Sequence, residues 1–519
     1  MARTTAESSA RSPQKLDRDV VVTGLVIVSG LVMVVLDSTI VNVALDTLSR
    51  DLDTSLSSAQ WVVTGYLLAV AMVIPLTGWA MDHFTPKRLW LASVSMFVVG
   101  SALCAASWSI ESLVAFRIVQ GLGGGMLMPA GQAFIARAAG PDRMGSAMAI
   151  LGVPMLLGPV FGPVLGGLLV EYASWHWIFL VNVPVGALAV FLAATKLPAG
   201  GGDADDEGLD APGLVLLGGS LAAVLYGLSS ASSHGGFGHA DVLGWLIAGG
   251  TGLLAYVGYS LWRGPRSIID VRLLRDRLFA SSTTTVFLVA LALFGGMILL
   301  PLYFQVVRGE GALDAGLLLV PQGVGAAAAM VIAGKLSDRL GAGWVVPVGV
   351  VLAMLGTWPF TQLSDDTSYV LLMAALFVRG MGLGSIMMPA ISSAYLRLSA
   401  DRVTRATPAL SAIQQIGASL GSAILVTTLT HHFTGQLASK GIEDEGSGSG
   451  AITGLPPAAM REAAPLLADS FGYAFWLAFI LTALILIPAL GLPRHRRTHD
   501  AEPARSRPGG PGPRSPQSG

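Results

Sequence analysis

The 519-residue chain is 53% hydrophobic and 12% charged, with a formal net charge of −1 and a mean hydropathy of +0.66. Soluble domains carry about 25% charged residues, so this composition excludes an ordinary water-soluble protein and indicates a polytopic membrane protein. One cysteine, Cys104, lies within an apolar run, which excludes an intrachain disulfide and argues against redox chemistry.

Residues 1–19 are polar, too long and mixed for the basic start of a signal peptide. No small-residue cleavage site follows the first apolar run, which therefore reads as a retained helix. A membrane-spanning helix needs about 20 apolar residues. Runs of that kind lie near 20–45, 60–81, 89–107, 112–136, 144–170, 177–196, 211–230 and 242–262. Others follow near 279–306, 315–334, 344–363, 368–393, 406–430 and 470–492. The expected fold is an all-α integral membrane protein with about fourteen spans, both termini on one side.

Charge asymmetry sets the orientation. One set of loops holds Lys87, Arg88, Arg137, Arg143, Arg263, Arg266, Arg272, Arg275, Arg277, Lys335, Arg339, Arg397, Arg402 and Arg405, and both tails are basic. The opposite loops hold few basic residues and are acidic at Asp365, Asp366, Glu443, Asp444 and Glu445. The positive-inside rule places both termini in the cytoplasm, as a multi-pass protein of the inner or plasma membrane.

In chain order, the first notable residue is Asp37, a carboxylate within the first span. Ionisable groups at that depth are costly and usually mark a proton, ion or substrate pathway. Asp37, Ser38, Val41 and Asn42 fall within one helical face, expected to line a cavity, where Asp37 can load a proton from one side and release it to the other. Asp82 and Arg88 follow at a basic turn, and Asp338 and Arg339 at a later one. These read as latches that hold the cytoplasmic side closed. In the fourth run Arg117, a cation that must be paired or solvated, shares a face with Gln120, Gly121, Gly124 and Gly125. The fifth run carries Gly158, Pro159, Gly162 and Pro163, a small-residue ridge interrupted by prolines that can bend and slide against a neighbour. Arg379 is a second cation inside a span, with its partner left open. Gln305, Gln322, Gln414 and Gln415, together with Asn42 and Gln120, are candidate cavity groups.

Between the spans, 199–210 reads as an acidic linker, 211–262 as an inserted helix pair and 263–278 as a basic linker. Residues 434–469 read as an external loop within a second bundle spanning 279–493, and 494–519 as a disordered tail. The first bundle spans 20–198. Gly78-Trp79-Ala80-Met81-Asp82 recurs loosely as Gly334-Lys335-Leu336-Ser337-Asp338. Gly121-Leu122-Gly123-Gly124-Gly125 with Met128-Pro129-Ala130 recurs as Gly380-Met381-Gly382-Leu383-Gly384 with Met388-Pro389-Ala390. Two parallel copies of a multi-helix unit mark transporters whose halves rock about a central site.

These residues resemble the major facilitator superfamily, and more narrowly its fourteen-helix drug–proton antiporter family. Leu36 to Leu45 is similar to that family's first-helix signature, and Gly78 to Arg88 to the superfamily's loop motif. Leu113 to Gly121 resembles the helix 4 motif, Gly158 to Gly167 the helix 5 antiporter motif, and Trp175 to Gly186 a fourteen-helix signature. Asp46 stands in place of a usual proline, Thr85 of a glycine and His176 of an arginine. The resemblance implies two six-helix bundles plus two inserted helices, and ties Arg117 to proton coupling.

No G-x-x-x-x-G-K-[ST] segment occurs, and the loops are too short for a nucleotide-binding domain, so energy is expected from an ion gradient. No cofactor, metal cluster, catalytic triad or nucleic-acid patch is indicated, and no enzymatic activity. The expected partners are protons, a small-molecule substrate and the lipid bilayer. The leading reading is a proton-coupled efflux antiporter for amphipathic compounds. A dedicated exporter of one metabolite, antibiotic or lipid, an importer, and a non-transporting sensor remain alternatives.

Overall fold

The computed structural model describes residues 18–139, 143–198, 208–234, 236–364, 366–439 and 457–494. The two tails, most of the acidic linker, residues 440–456 and the side chains of Pro159 and Pro163 lie outside the described residues.

Among the described residues the fold is helical throughout. In chain order the helices are α1 (Arg18–Asp51), α2 (Leu56–Ala59), α3 (Trp61–Val73), α4 (Leu76–His83), α5 (Pro86–Ala105), α6 (Ile110–Ala139), α7 (Met144–Tyr172), α8 (His176–Leu180) and α9 (Asn182–Lys196). The inserted pair is α10 (Ala211–His234) and α11 (Ala240–Arg263). The second half comprises α12 (Arg277–Leu302), α13 (Ala312–Leu340), α14 (Ala342–Thr357), α15 (Tyr369–Tyr395), α16 (Ala400–Ser439), α17 (Pro457–Leu484) and α18 (Leu486–Ala489). Among the described residues twelve helices have the length and composition to cross a membrane, or thirteen if α3 and α4, bent by 52°, form one span. That bend falls at Pro75, which cannot donate the hydrogen bond a straight helix would need.

The two copies of the basic turn close differently. Gly341 ends α13 at φ +88°, a backbone conformation that side chains rarely adopt. Thr85 holds an extended conformation instead and caps α5, its hydroxyl accepting from the Arg88 N–H at 3.3 Å with Pro86 at the first turn. A serviceable turn therefore forms at Thr85 without the glycine.

The expected external loop 434–469 is shorter than its polarity indicates, because α16 continues to Ser439 and α17 starts at Pro457. Phe433, Leu437 and Leu467 supply the reason: all three are buried in one apolar cluster with Phe471 and Phe475, so the helical stripe goes on burying surface.

Packing divides the molecule by level. At the end bearing the basic loops, one continuous core runs through both halves, including Trp90, Phe97, Met148, Met330, Met388 and Leu410. At the other end the halves have separate cores, one around Val41, Val62 and Phe179 and one around Tyr303, Phe360 and Phe433. The halves are thus joined at one end and cored independently at the other. A fourth cluster joins Ala71 and Ile74, Leu217 and Leu221 of α10, and Ala409 and Ala412 of α16. The inserted pair accordingly lies against the seam between halves, with α10 packed on both α3 and α16.

Candidate functional site

Asp37 and Arg117 meet in the interior of the first half. Arg117 Nη1 donates to Asp37 Oδ2 at 2.6 Å, and both side chains are buried. Two desolvated charges stand in a membrane interior only when the geometry is good and the remaining polar atoms are satisfied. Here they are. Gln120 Nε2 and Asn182 Nδ2 each donate to Asp37 Oδ1 at 2.9 Å. Gln120 Oε1 accepts from Arg117 Nη1 at 2.7 Å, and Arg117 Nε donates to the Val62 carbonyl at 3.1 Å. Ser101 Oγ accepts from Gln120 and Asn182 at 3.1 and 3.0 Å while donating to the Phe179 carbonyl. The Arg117 guanidinium lies 4.1 Å over the Tyr66 ring, a further cation–π contact.

Six elements converge to build this cluster: α1, α3, α5, α6, α8 and α9. Small residues allow it. A Cβ at Gly100 would come 2.7 Å from Gln120 Cα, and one at Gly121 2.7 Å from the Tyr66 carbonyl oxygen. Glycine at both sites lets α5 and α3 press close enough to α6 for the polar groups to meet.

The expected polar stripe on α1 divides. Asp37 and Val41 are buried, whereas Asn42 is exposed and donates to its own helix at the Ser38 carbonyl, 3.1 Å away. At about 100° per residue, Asn42 stands about 140° from Asp37, too far round to share its environment. Gln120, expected among cavity groups, is instead buried within the charge cluster.

The two loop aspartates do engage partners, but not the arginines beside them in sequence. Asp338 accepts from the backbone N–H of Gly145 and of Ser146, each at 2.9 Å, and from Ser146 Oγ at 2.5 Å. It therefore caps the start of α7 in the opposite half, where the helix dipole favours an anion. Asp82 pairs with Arg405 Nε at 3.4 Å, near the start of α16. Arg88 and Arg339 have exposed side chains and make no cross-half bond among the described residues. Arg137 also donates to Thr404 Oγ1, and Tyr395 OH meets Gln132 Oε1 at 3.2 Å, both across the halves at the same end.

The α7 ridge packs against α1. A Cβ at Gly158 would strike Val35 and one at Gly162 would strike Thr39, whose hydroxyl lies 3.3 Å from the Gly158 carbonyl. Farther toward the basic end, Gly145 meets Gly334 and Gly152 meets Met330 of α13. In the second half, Arg379 is buried and donates from Nη1 to Gln322 Oε1 at 2.8 Å. Gln414 is buried and Gln415 half-buried on α16, while Gln305 is exposed in the π-helical turn after α12.

Several partners carried no sequence signal of their own. Ser101 is one small hydroxyl in an apolar run, and Asn182 stood out only within the Trp175 to Gly186 segment. Asp210, read as part of a linker, is buried: it accepts from Tyr259 OH at 2.5 Å and from the N–H groups of Gly213 and Ile268 at 3.2 Å, beside Arg263 at 3.6 Å.

A polytopic helical protein built of two repeated halves, with a buried ion pair in one and polar contacts between them, is a membrane transporter in form. The family model of the Major Facilitator Superfamily matches residues 27–422, and the chain belongs to that superfamily. It is 40% identical over 505 residues to a multidrug resistance protein B homolog of Mycobacterium tuberculosis, spanning 95% of this chain and 93% of that one. A putative multidrug resistance protein MdtD of Serratia proteamaculans is 31% identical over 78% of this chain and 85% of its own. A tetracenomycin C resistance and export protein of Streptomyces glaucescens is 29% identical, covering 85% and 80%. Among solved structures, the proton:xylose symporter XylE superposes with a TM-score of 0.57 at 13% identity over 91% of this chain and 97% of that one, a likeness of fold.

Proposed function

We propose that this protein is a proton-coupled antiporter that exports amphipathic drugs or toxic compounds by alternating access, as a member of the drug–proton antiporter family. The observation that carries the reading is the buried Asp37–Arg117 pair, whose carboxylate also accepts from Gln120 and Asn182. Asp37 is the proton carrier, and Arg117 is its counter-charge within the closed site. The multidrug names of the 40% and 31% identical relatives favour a broad substrate range over a dedicated single-compound exporter.

In this reading there are fourteen spans: the twelve helices, the bent α3–α4 pair, and α7, whose 29 residues suffice to cross a bilayer. They form a first bundle over 20–198, an inserted pair over 211–262 and a second bundle over 279–493. Both termini are cytoplasmic, from the loop charges. The joined basic end is then the cytoplasmic gate, closed by Asp82 and Asp338, and the conformation is outward-facing. Gly158, Pro159, Gly162 and Pro163 let α7 slide on α1 as the halves exchange access.

The test uses inverted membrane vesicles energised to an acidic lumen, with lumenal pH followed by a fluorescent probe. Addition of a panel of amphipathic compounds should evoke proton release with the wild-type protein and none with Asp37→Asn. Equal release from both proteins would overturn the proposal.

A further inference from the structure

The two halves superimpose in sequence register, and the register exposes a charge without a counter-charge among the described residues. α1 begins at Arg18 and α12 at Arg277, the same offset that carries Gly121 to Gly380. Under it Asp37 corresponds to Gly296, and Gln120 to Arg379. The packing agrees with the register. Gly100 presses on Gln120 as Gly356 presses on Arg379, and Gly121 faces the Tyr66 carbonyl as Gly380 faces that of Gln322. The second half has thus put a guanidinium where the first has a neutral amide, and has no carboxylate where the first has Asp37.

Arg379 is 3% exposed, and its one hydrogen bond among the described residues runs from Nη1 to Gln322 Oε1. A guanidinium offers five N–H donors in a planar fork and does not lose its charge in a protein. Gly296 admits the Nη2 edge of that fork against α12, since a Cβ there would lie 2.1 Å from Nη2. The side chain keeps this 3% exposure, so the guanidinium is not wholly sealed within the protein. A buried cation without a counter-ion is unfavourable, and a planar fork with free donors matches a carboxylate or other oxyanion two bonds at a time.

We infer that Arg379, with Gln322, is an anion-binding site of the second half that takes the carboxylate, or a comparable oxyanion, of an amphipathic molecule. The inference rests on the proposed transport of amphipathic compounds and narrows it. The first half carries an anion built into the chain, whereas the second carries a cation whose anion arrives with the ligand. The shared chemistry admits a soluble amphiphilic acid or an anionic lipid headgroup.

Equilibrium binding to the full chain in phosphatidylcholine nanodiscs tests this without a proton gradient. The probes are 11-(dansylamino)undecanoic acid and its primary amide, which have the same apolar body, with empty nanodiscs subtracted as background. The wild type should bind the acid at least tenfold more tightly than the amide. Arg379→Gln should abolish that preference, Arg379→Lys should retain part of it, and Gly296→Asp, which supplies an internal counter-ion, should abolish it while Arg379 remains. Equal affinity for acid and amide in the wild type, no binding of either, or an unchanged preference in Arg379→Gln would overturn the inference. Adding phosphatidylglycerol to the nanodisc separates the two sources: loss of acid binding by competition assigns the site to lipid, and persistence assigns it to soluble amphiphiles. Asp37→Asn should keep the acid preference, so failure of the antiport reading and failure of this site are read separately.

Discussion

The Asp338 carboxylate of the second half receives the hydroxyl and the backbone N–H of Ser146 in the first, at 2.5 and 2.9 Å, and so closes the α7 N-terminus across the seam. Asp82 reaches Arg405, near the start of α16, from the other half. The two contacts are the same device used twice: an aspartate at the end of one helix holding the first turns of a helix in the opposite repeat. Each contributes only while the halves are together at that end.

Removing one such latch should loosen the closed end without unfolding either half. Hydrogen bonds to a charged group are worth about 1.5–3 kcal/mol. Asp338→Asn should therefore raise the open population at this end by about tenfold or more. With Cys104 replaced by serine, the modification rate of a Thr404→Cys reporter by a membrane-impermeant maleimide in inverted vesicles measures it. An unchanged rate would show that Asp338 does not hold the gate.

Breaking the buried ion pair from one side should cost more than removing it from both. Asp37→Asn leaves the Arg117 charge buried without a counter-ion, at about 3–5 kcal/mol. The double variant Asp37→Asn with Arg117→Gln should recover much of that loss in thermal unfolding. Neither variant should restore gradient-driven export, and the split between stability and transport identifies the pair as functional.

The α1–α7 contact should be intolerant of one added methyl. Gly162→Ala places its Cβ against Thr39, at about 1–3 kcal/mol, and should slow transport. Gly167→Ala, with nothing within 4 Å of its Cβ, is the matched control and should leave both stability and transport unchanged.

The anchor of the inserted pair is testable in the same way. Asp210→Ala removes an acceptor shared by Tyr259 and two backbone N–H groups, so about 1–3 kcal/mol should be lost. Tyr259→Phe, which removes one of those donors, should cost about 1 kcal/mol. Thermal unfolding in detergent distinguishes the two, and equal losses would mean that the backbone donors do not depend on Asp210.

The charged members of the cluster were legible in the sequence because a charge in an apolar run has no bland explanation. Asp37 and Arg117 were found for that reason, and so was Arg379. Ser101 and Asn182 were not, since a neutral polar residue in a span is common and its importance comes from what it faces. Arg405 was read only as a loop charge, because its partner Asp82 lies more than half the chain away and pairing across repeats leaves no local mark. The extension of α16 beyond its apolar stretch was hidden by polar neighbours, although Phe433 and Leu437 keep the helical spacing. Asn42 was grouped with Asp37 through a helical face drawn too wide, and the two stand in different surroundings.

The orientation of one amide has a further consequence. Gln120 presents its oxygen to Arg117 and its nitrogen to Asp37, and the alternative rotamer would set like against like at both ends. Asp37 Oδ1 accepts two N–H groups and Oδ2 the guanidinium, so both oxygens are already engaged. Under the proposed antiport, loading a proton on Asp37 would turn Gln120 over or release Arg117, and either event would loosen the contact between α6 and α1. Occupancy of a single oxygen would in this way be read out in the relative position of two helices.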